Sequence, residues 1–205
     1  MMQAPTSSAP QQLWGIRYLR KDVGVAIVVA VALLLGLLLQ QGVTSRTKQY
    51  VASDQPFSIA YPAGWVEVES LIEAPLLKVQ NPLTESAFKA TLTVESRELD
   101  PATPPTLQTL LDRRVEQRQE LMGYHFLANA EVSVGVEKAM QYDYTYVVQP
   151  ADEPRRASLP VVVVAREHIV VARDRVYYIT FATPENELER NLSRLESIIQ
   201  TVKLQ

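Results

Sequence analysis

The chain has 205 residues, 47% of them hydrophobic, a formal net charge of −3 and no cysteine. That length suits one domain of roughly 150 residues plus a further segment, and the lack of cysteine excludes a disulfide framework, a zinc–thiolate site and a thiol nucleophile. From Tyr50 onward 15 Lys/Arg stand against 22 Asp/Glu, an acidic balance unsuited to nucleic acid, so no nucleic-acid partner is expected.

The first twelve residues, "MMQAPTSSAPQQ", form a polar, proline-containing tail expected to be disordered. Val23 to Leu39 is then a run of 17 residues without a charged or polar side chain. As a helix it would span about 25 Å, and Gln40 to Val43 extend it toward the roughly 30 Å hydrocarbon core of a bilayer. Arg17, Arg20 and Lys21 precede the run, Arg46 and Lys48 follow it, and Trp14 and Tyr18 sit near its first boundary. The heavier basic flank predicts a cytoplasmic N-terminus and a C-terminal domain outside. A cleaved signal peptide is the competing reading. It would have an apolar core of about 7–15 residues and a small-x-small cleavage site, which Gln40-Gln41-Gly42-Val43-Thr44 does not offer. The expected layout is a cytoplasmic tail and juxtamembrane segment over 1–22, a transmembrane helix over 23–43, a spacer over 44–54 and an extracytoplasmic domain over 55–205.

In "FSIAYPAGW" Phe57, Ile59 and Tyr61 alternate with smaller residues, the period of a half-buried strand that stops at Pro62. Leu76 to Val79 forms a second strand. Lys89 to Leu99 alternates again, with Leu92 and Val94 on one face and Thr91, Thr93 and Glu95 on the other. Leu107, Leu110, Leu111, Val115, Leu121 and Met122 recur at helical spacing, with Thr106 as N-cap and Gly123 as the stop. Tyr124 to Val136 and Met140 to Val148 are strands, the second carrying Tyr142, Tyr144 and Tyr146 on one face. "QPADEPRRASLP" is a long turn. Pro160 to Ala172 is long for one strand, and a bulge is expected near Arg166-Glu167. Arg173-Asp174-Arg175 turns into Val176 to Ala182. Thr183 is expected to cap a last helix, with Pro184 at its first position and Leu188, Leu192, Leu195, Ile198 and Ile199 as its buried stripe. "TVKL" adds a short edge strand. The order predicts an α+β fold, a central antiparallel sheet with one amphipathic helix on each face.

The strand "FSIAYPAGW", the helix "LQTLLDRRVEQRQEL" and the closing "DRVYYITFATPENELERNLSRLESIIQTVKL" together resemble the PsbP-like family of α/β/α sandwich domains, over roughly residues 55 to 204. The resemblance implies that "YPAGW" ends the first strand and that Trp65 packs back as a lid on the core. It implies a non-catalytic module. PsbP itself is an extrinsic subunit of the oxygen-evolving photosystem, but this chain carries an expected membrane anchor and no photosynthetic mark, so that role is not carried over.

No catalytic residue, metal site or cofactor is expected. His125 and His168 lie in different strands without metal-ligand spacing, and both read as surface or edge histidines. The chain has no G-x-S-x-G and no glycine-rich phosphate loop. Arg155 and Arg156, between the prolines of a long loop, are the first candidates for contact with a protein partner. Arg113 and Arg114 are the next, against the plain reading that they and Arg118 form the solvated side of a helix. Tyr142, Tyr144 and Tyr146 are the alternative, a platform for a small ligand between sheet and helix, against the plain reading that they are core. The expected function is a membrane-anchored extracytoplasmic interaction module, an accessory or assembly subunit of a membrane complex. The alternative is a surface-tethered ligand-binding domain.

Overall fold

The structure, a computed structural model, describes residues 23–36, 46–69, 75–150 and 159–204. The chain divides into two units, residues 1–45 and 46–205. In the first, residues 23–36 form helix α1, with every side chain exposed. Among the described residues no helix is long and apolar enough to cross a membrane; the expected span continues through residues 37–43, which lie outside the described ones.

Among its described residues the second unit holds ten strands and two α-helices. Strands β1 (Thr47–Val51), β2 (Phe57–Pro62), β3 (Val66–Glu67), β4 (Leu77–Gln80) and β5 (Thr91–Glu98) precede helix α2 (Leu107–Arg118). Strands β6 (His125–Val134), β7 (Glu137–Val148), β8 (Val161–Ala172) and β9 (Arg175–Pro184) follow, then a 3-10 turn (Glu185–Glu187), helix α3 (Leu188–Ile199) and β10 (Lys203–Leu204). Seven strands form one antiparallel sheet in the order β3-β4-β5-β9-β8-β7-β6. The expected α+β class and antiparallel sheet are present. The opening strand, however, lies outside the large sheet: β2 pairs with β1 and β10 in a separate three-stranded sheet. The segment read as a spacer, 44–54, therefore contains β1.

Period-two alternation sorts the core into two layers. Phe57, Ile59 and Tyr61 of β2 pack with Leu92 and Val94 of β5, Ile179 and Phe181 of β9, and Leu195 and Ile198 of α3. The other face of the large sheet offers Met140, Tyr142 and Tyr144 of β7 and Ile169 of β8 to Leu110 and Leu111 of α2. One helix per face holds, with the small sheet beside α3. Trp65 is buried and stacks on Phe181 at a centroid distance of 6.0 Å, the expected lid.

Three local expectations are corrected. The long β8 runs without a bulge, because both neighbours pair with it in unbroken register. The irregularity falls in β6 at Leu127, where pairing with β7 skips from Phe126 to Ala128. Helix α2 begins as expected, Thr106 Oγ1 accepting from the Thr109 amide at 3.1 Å. It ends at Gln119, and Gly123 instead turns the chain into β6 at φ 65°. Thr183 does not cap α3. It stays in β9, fully buried, and accepts from Asn191 Nδ2 at 2.9 Å, so Asn191 takes an inward position on α3 while Leu188 and Leu192 are half-buried.

Candidate functional site

The face of the large sheet beneath α2 carries a transverse row of polar residues. Register places Tyr142 of β7 opposite Glu167 of β8, Glu167 opposite Thr180 of β9, Thr180 opposite Thr93 of β5, and Thr93 opposite Lys78 of β4. Glu167 has no exposed surface, so its charge needs partners. Helix α2 supplies them. Arg114 Nε donates to Glu167 Oε1 at 2.5 Å, and Arg118 Nη2 to Glu167 Oε2 at 3.3 Å. Arg114 Nη2 also donates to Glu95 Oε1 at 2.8 Å, and Arg118 lies 3.8 Å from the same oxygen. The Tyr142 hydroxyl donates to Glu167 Oε2 at 3.4 Å. Burial disfavours the charge on Arg114, yet the Glu167 and Glu95 carboxylates outweigh it and hold the guanidinium above the usual arginine range. Burial likewise works against the Glu95 carboxylate, and its hydrogen bond and charge contact with Arg114, with help from Arg118 and Arg97, still hold it below the usual range.

The tyrosines of β7 form a continuous stack. Tyr142 and Tyr144 lie 5.0 Å apart, and Tyr144 and Tyr146 6.0 Å, at small interplanar angles. Arg118 sits over the Tyr144 ring at 5.9 Å and Arg114 over Tyr178 at 4.5 Å. Burial raises the phenols of Tyr142 and Tyr144 far above the usual range and pushes Tyr146 up to about 12. Tyr142 and Tyr144 are closed in the core, and Tyr146 is half-buried.

Beyond the C-terminal end of α2 the same sheet face opens into a cleft of about 830 Å³. Thr93, Thr180 and Lys78 lie in its floor, Tyr144 and Tyr146 in one wall, and Arg118 at the helix side. Thr180 is 8% exposed, and among the described residues neither its hydroxyl nor Arg118 Nε has a hydrogen-bond partner. Among the described residues no group of three His, Cys, Asp or Glu stands ready to hold a metal.

The far edge of the large sheet has a different character. Strand β6 is its last strand, ten residues long, with nearly every side chain exposed on both faces. Phe126 and Leu127 are 38% and 49% exposed. Its outer backbone groups pair with no strand among the described residues.

The PsbP family model matches residues 45–204. The chain belongs to the PsbP family. The PsbP domain is similar in fold to the cyanobacterial PsbP of Synechocystis sp. PCC 6803 (TM-score 0.56, 12% identity, 78% of this chain and 92% of that one). It is similar also to LpqN of Mycobacterium tuberculosis (0.53, 11%, 78% and 91%) and to the Ran-binding protein Mog1p of Saccharomyces cerevisiae (0.50, 13%, 78% and 95%). No curated protein matches the sequence significantly.

Set on the PsbP domain, the expected site residues separate. Arg113 is exposed, whereas Arg114 is 4% exposed; the reading of these arginines as one solvated face fails because two buried or half-buried carboxylates of the sheet draw Arg114 and Arg118 inward. Arg155 and Arg156 lie outside the described residues. His125 is exposed on β6, but His168 is buried in β8, not a surface or edge histidine. It faces the α3 side, opposite Glu167, and burial, with the nearby Arg166, lowers its pKa to about 4. Sequence reasoning missed Glu167, Thr180 and the β6 edge. Glu167 left one signal: a carboxylate inside a β-branched run needs a cation from elsewhere in the fold.

Proposed function

We propose that this PsbP-family chain is a membrane-anchored, extracytoplasmic protein-interaction module, a non-enzymatic accessory or assembly subunit of a membrane complex. The observation that carries the interaction is the open edge of β6. A long edge strand with few charges is normally blunted or covered, and here only Glu131 and the Leu127 bulge oppose pairing with another chain. Strand addition by a partner would satisfy that edge. Mog1p is a Ran-binding protein and LpqN is involved in cell envelope biogenesis, and both accord with an interaction role for the fold. The anchor reading is supported by the uncharged run Val23 to Leu39 and its basic flank, which favour a cytoplasmic N-terminus and a domain outside. The Arg155-Arg156 loop and exposed Arg113 are secondary contact candidates.

The test is recovery of partners with the detergent-solubilised full-length chain. Ala128→Lys/Ala130→Lys adds charge to the β6 edge at exposed positions. It is expected to abolish recovery of the co-purifying membrane protein while leaving the unfolding midpoint unchanged. Equal recovery by the variant removes β6 from the interface. A reporter active only outside the cytoplasm, fused after Gln205, is expected to be active; an inactive fusion overturns the topology.

A further inference from the structure

We propose that the cleft beside α2 is a binding site for a small organic anion, a carboxylate or phosphate ester with an apolar or aromatic body. The inference is independent of the interaction reading and rests on the polar row across the sheet. Under α2 the row is satisfied: Tyr142 and Glu167 meet Arg114 and Arg118. Past the end of the helix it continues as Thr180, Thr93 and Lys78 into the open cleft. Along its lining the Thr180 hydroxyl and Arg118 Nε, each with almost no exposed surface of its own, have no hydrogen-bond partner among the described residues. A buried hydroxyl or guanidinium N–H without a partner is uncommon and costs stability unless something else completes it.

The chemistry of the lining chooses the ligand. Arg118 Nε, the Lys78 ammonium and the exposed Arg97 are donors without acceptor capacity, and threonine hydroxyls can donate as well. Among the described residues, Lys78, Lys89, Arg97 and Arg118 face the cleft against one carboxylate, that of Glu95, which Arg114 already engages. This is a basic patch on an otherwise acidic domain. It attracts anions in a recess that strengthens their hydrogen bonds. Phe88 meets Tyr146 edge-on at 6.4 Å, and the two half-buried rings give an apolar wall for the body of the ligand. The volume falls within the range of small-molecule sites, roughly 300–1,000 Å³.

Phenyl phosphate is the probe, with benzyl alcohol as its neutral counterpart, titrated into the full-length protein in non-ionic detergent and followed by calorimetry. Saturable binding of phenyl phosphate, weakened by added salt and absent with benzyl alcohol, is expected. Thr180→Val keeps the shape and removes the orphaned hydroxyl, so its unfolding midpoint is expected to stay level or rise while binding weakens about fivefold. Arg97→Ala, at an exposed position, is expected to weaken binding by a similar factor with no change in midpoint. No saturable binding, equal binding of benzyl alcohol, or full binding by both variants overturns the proposal.

Discussion

Arg114 and Glu167 lie 53 residues apart in sequence and 2.5 Å apart in space, with side chains 5% and 0% exposed. The pair fastens α2 to the centre of the large sheet. Its charges left water to do so, and Glu95 and Arg118 complete the balance. A buried network of this kind holds a helix in one position rather than adding much net stability.

Removing one member leaves its partner charged and buried. Arg114→Met is expected to cost about 3–5 kcal/mol in a denaturant titration. Arg114→Met/Glu167→Met is expected to recover most of that loss, since Arg118 still has Glu95. A double variant as unstable as the single one would mean that the pair contributes net stability.

His168 makes stability depend on pH. Its folded pKa of about 4 lies below the usual histidine value of 6.5, because burial disfavours the imidazolium and Arg166 repels it, against a smaller pull from Asp143. The unfolded chain therefore binds a proton between those two values that the folded chain refuses. Stability is full above pH 6.5, falls as pH drops toward 4, and levels off below, for a total of about 3 kcal/mol from this group. His168→Leu is expected to flatten the unfolding midpoint across that window. An unchanged slope would assign the pH dependence to other groups.

Helix α3 packs against β2 and β9 through its inward positions. Leu195 is 2% exposed and Leu192 half-buried. Leu195→Ala is expected to cost about 2–5 kcal/mol, as for other closed leucine sites, and Leu192→Ala distinctly less. Equal losses in parallel urea titrations would show that α3 is rotated from this packing.

Local pattern alone determined much of this protein. Alternation placed β5 and β7 and chose their inward faces, because a strand's two faces are written into every second residue. Thr106 announced the start of α2, because an N-cap bonds within one turn. The aromatic lid of Trp65 followed from the motif that also carried the family resemblance. Only the tertiary structure separated β2 from the large sheet, since a half-buried strand looks the same whichever sheet receives it. The same holds for Arg114: on a helix it reads as a solvated charge until Glu167, from a distant strand, is brought beneath it. The cleft is a further step removed. It exists because α2 stops short of covering the row from Tyr142 to Lys78. Which part of a sheet a helix leaves bare depends on long-range packing, and no window of the sequence contains it.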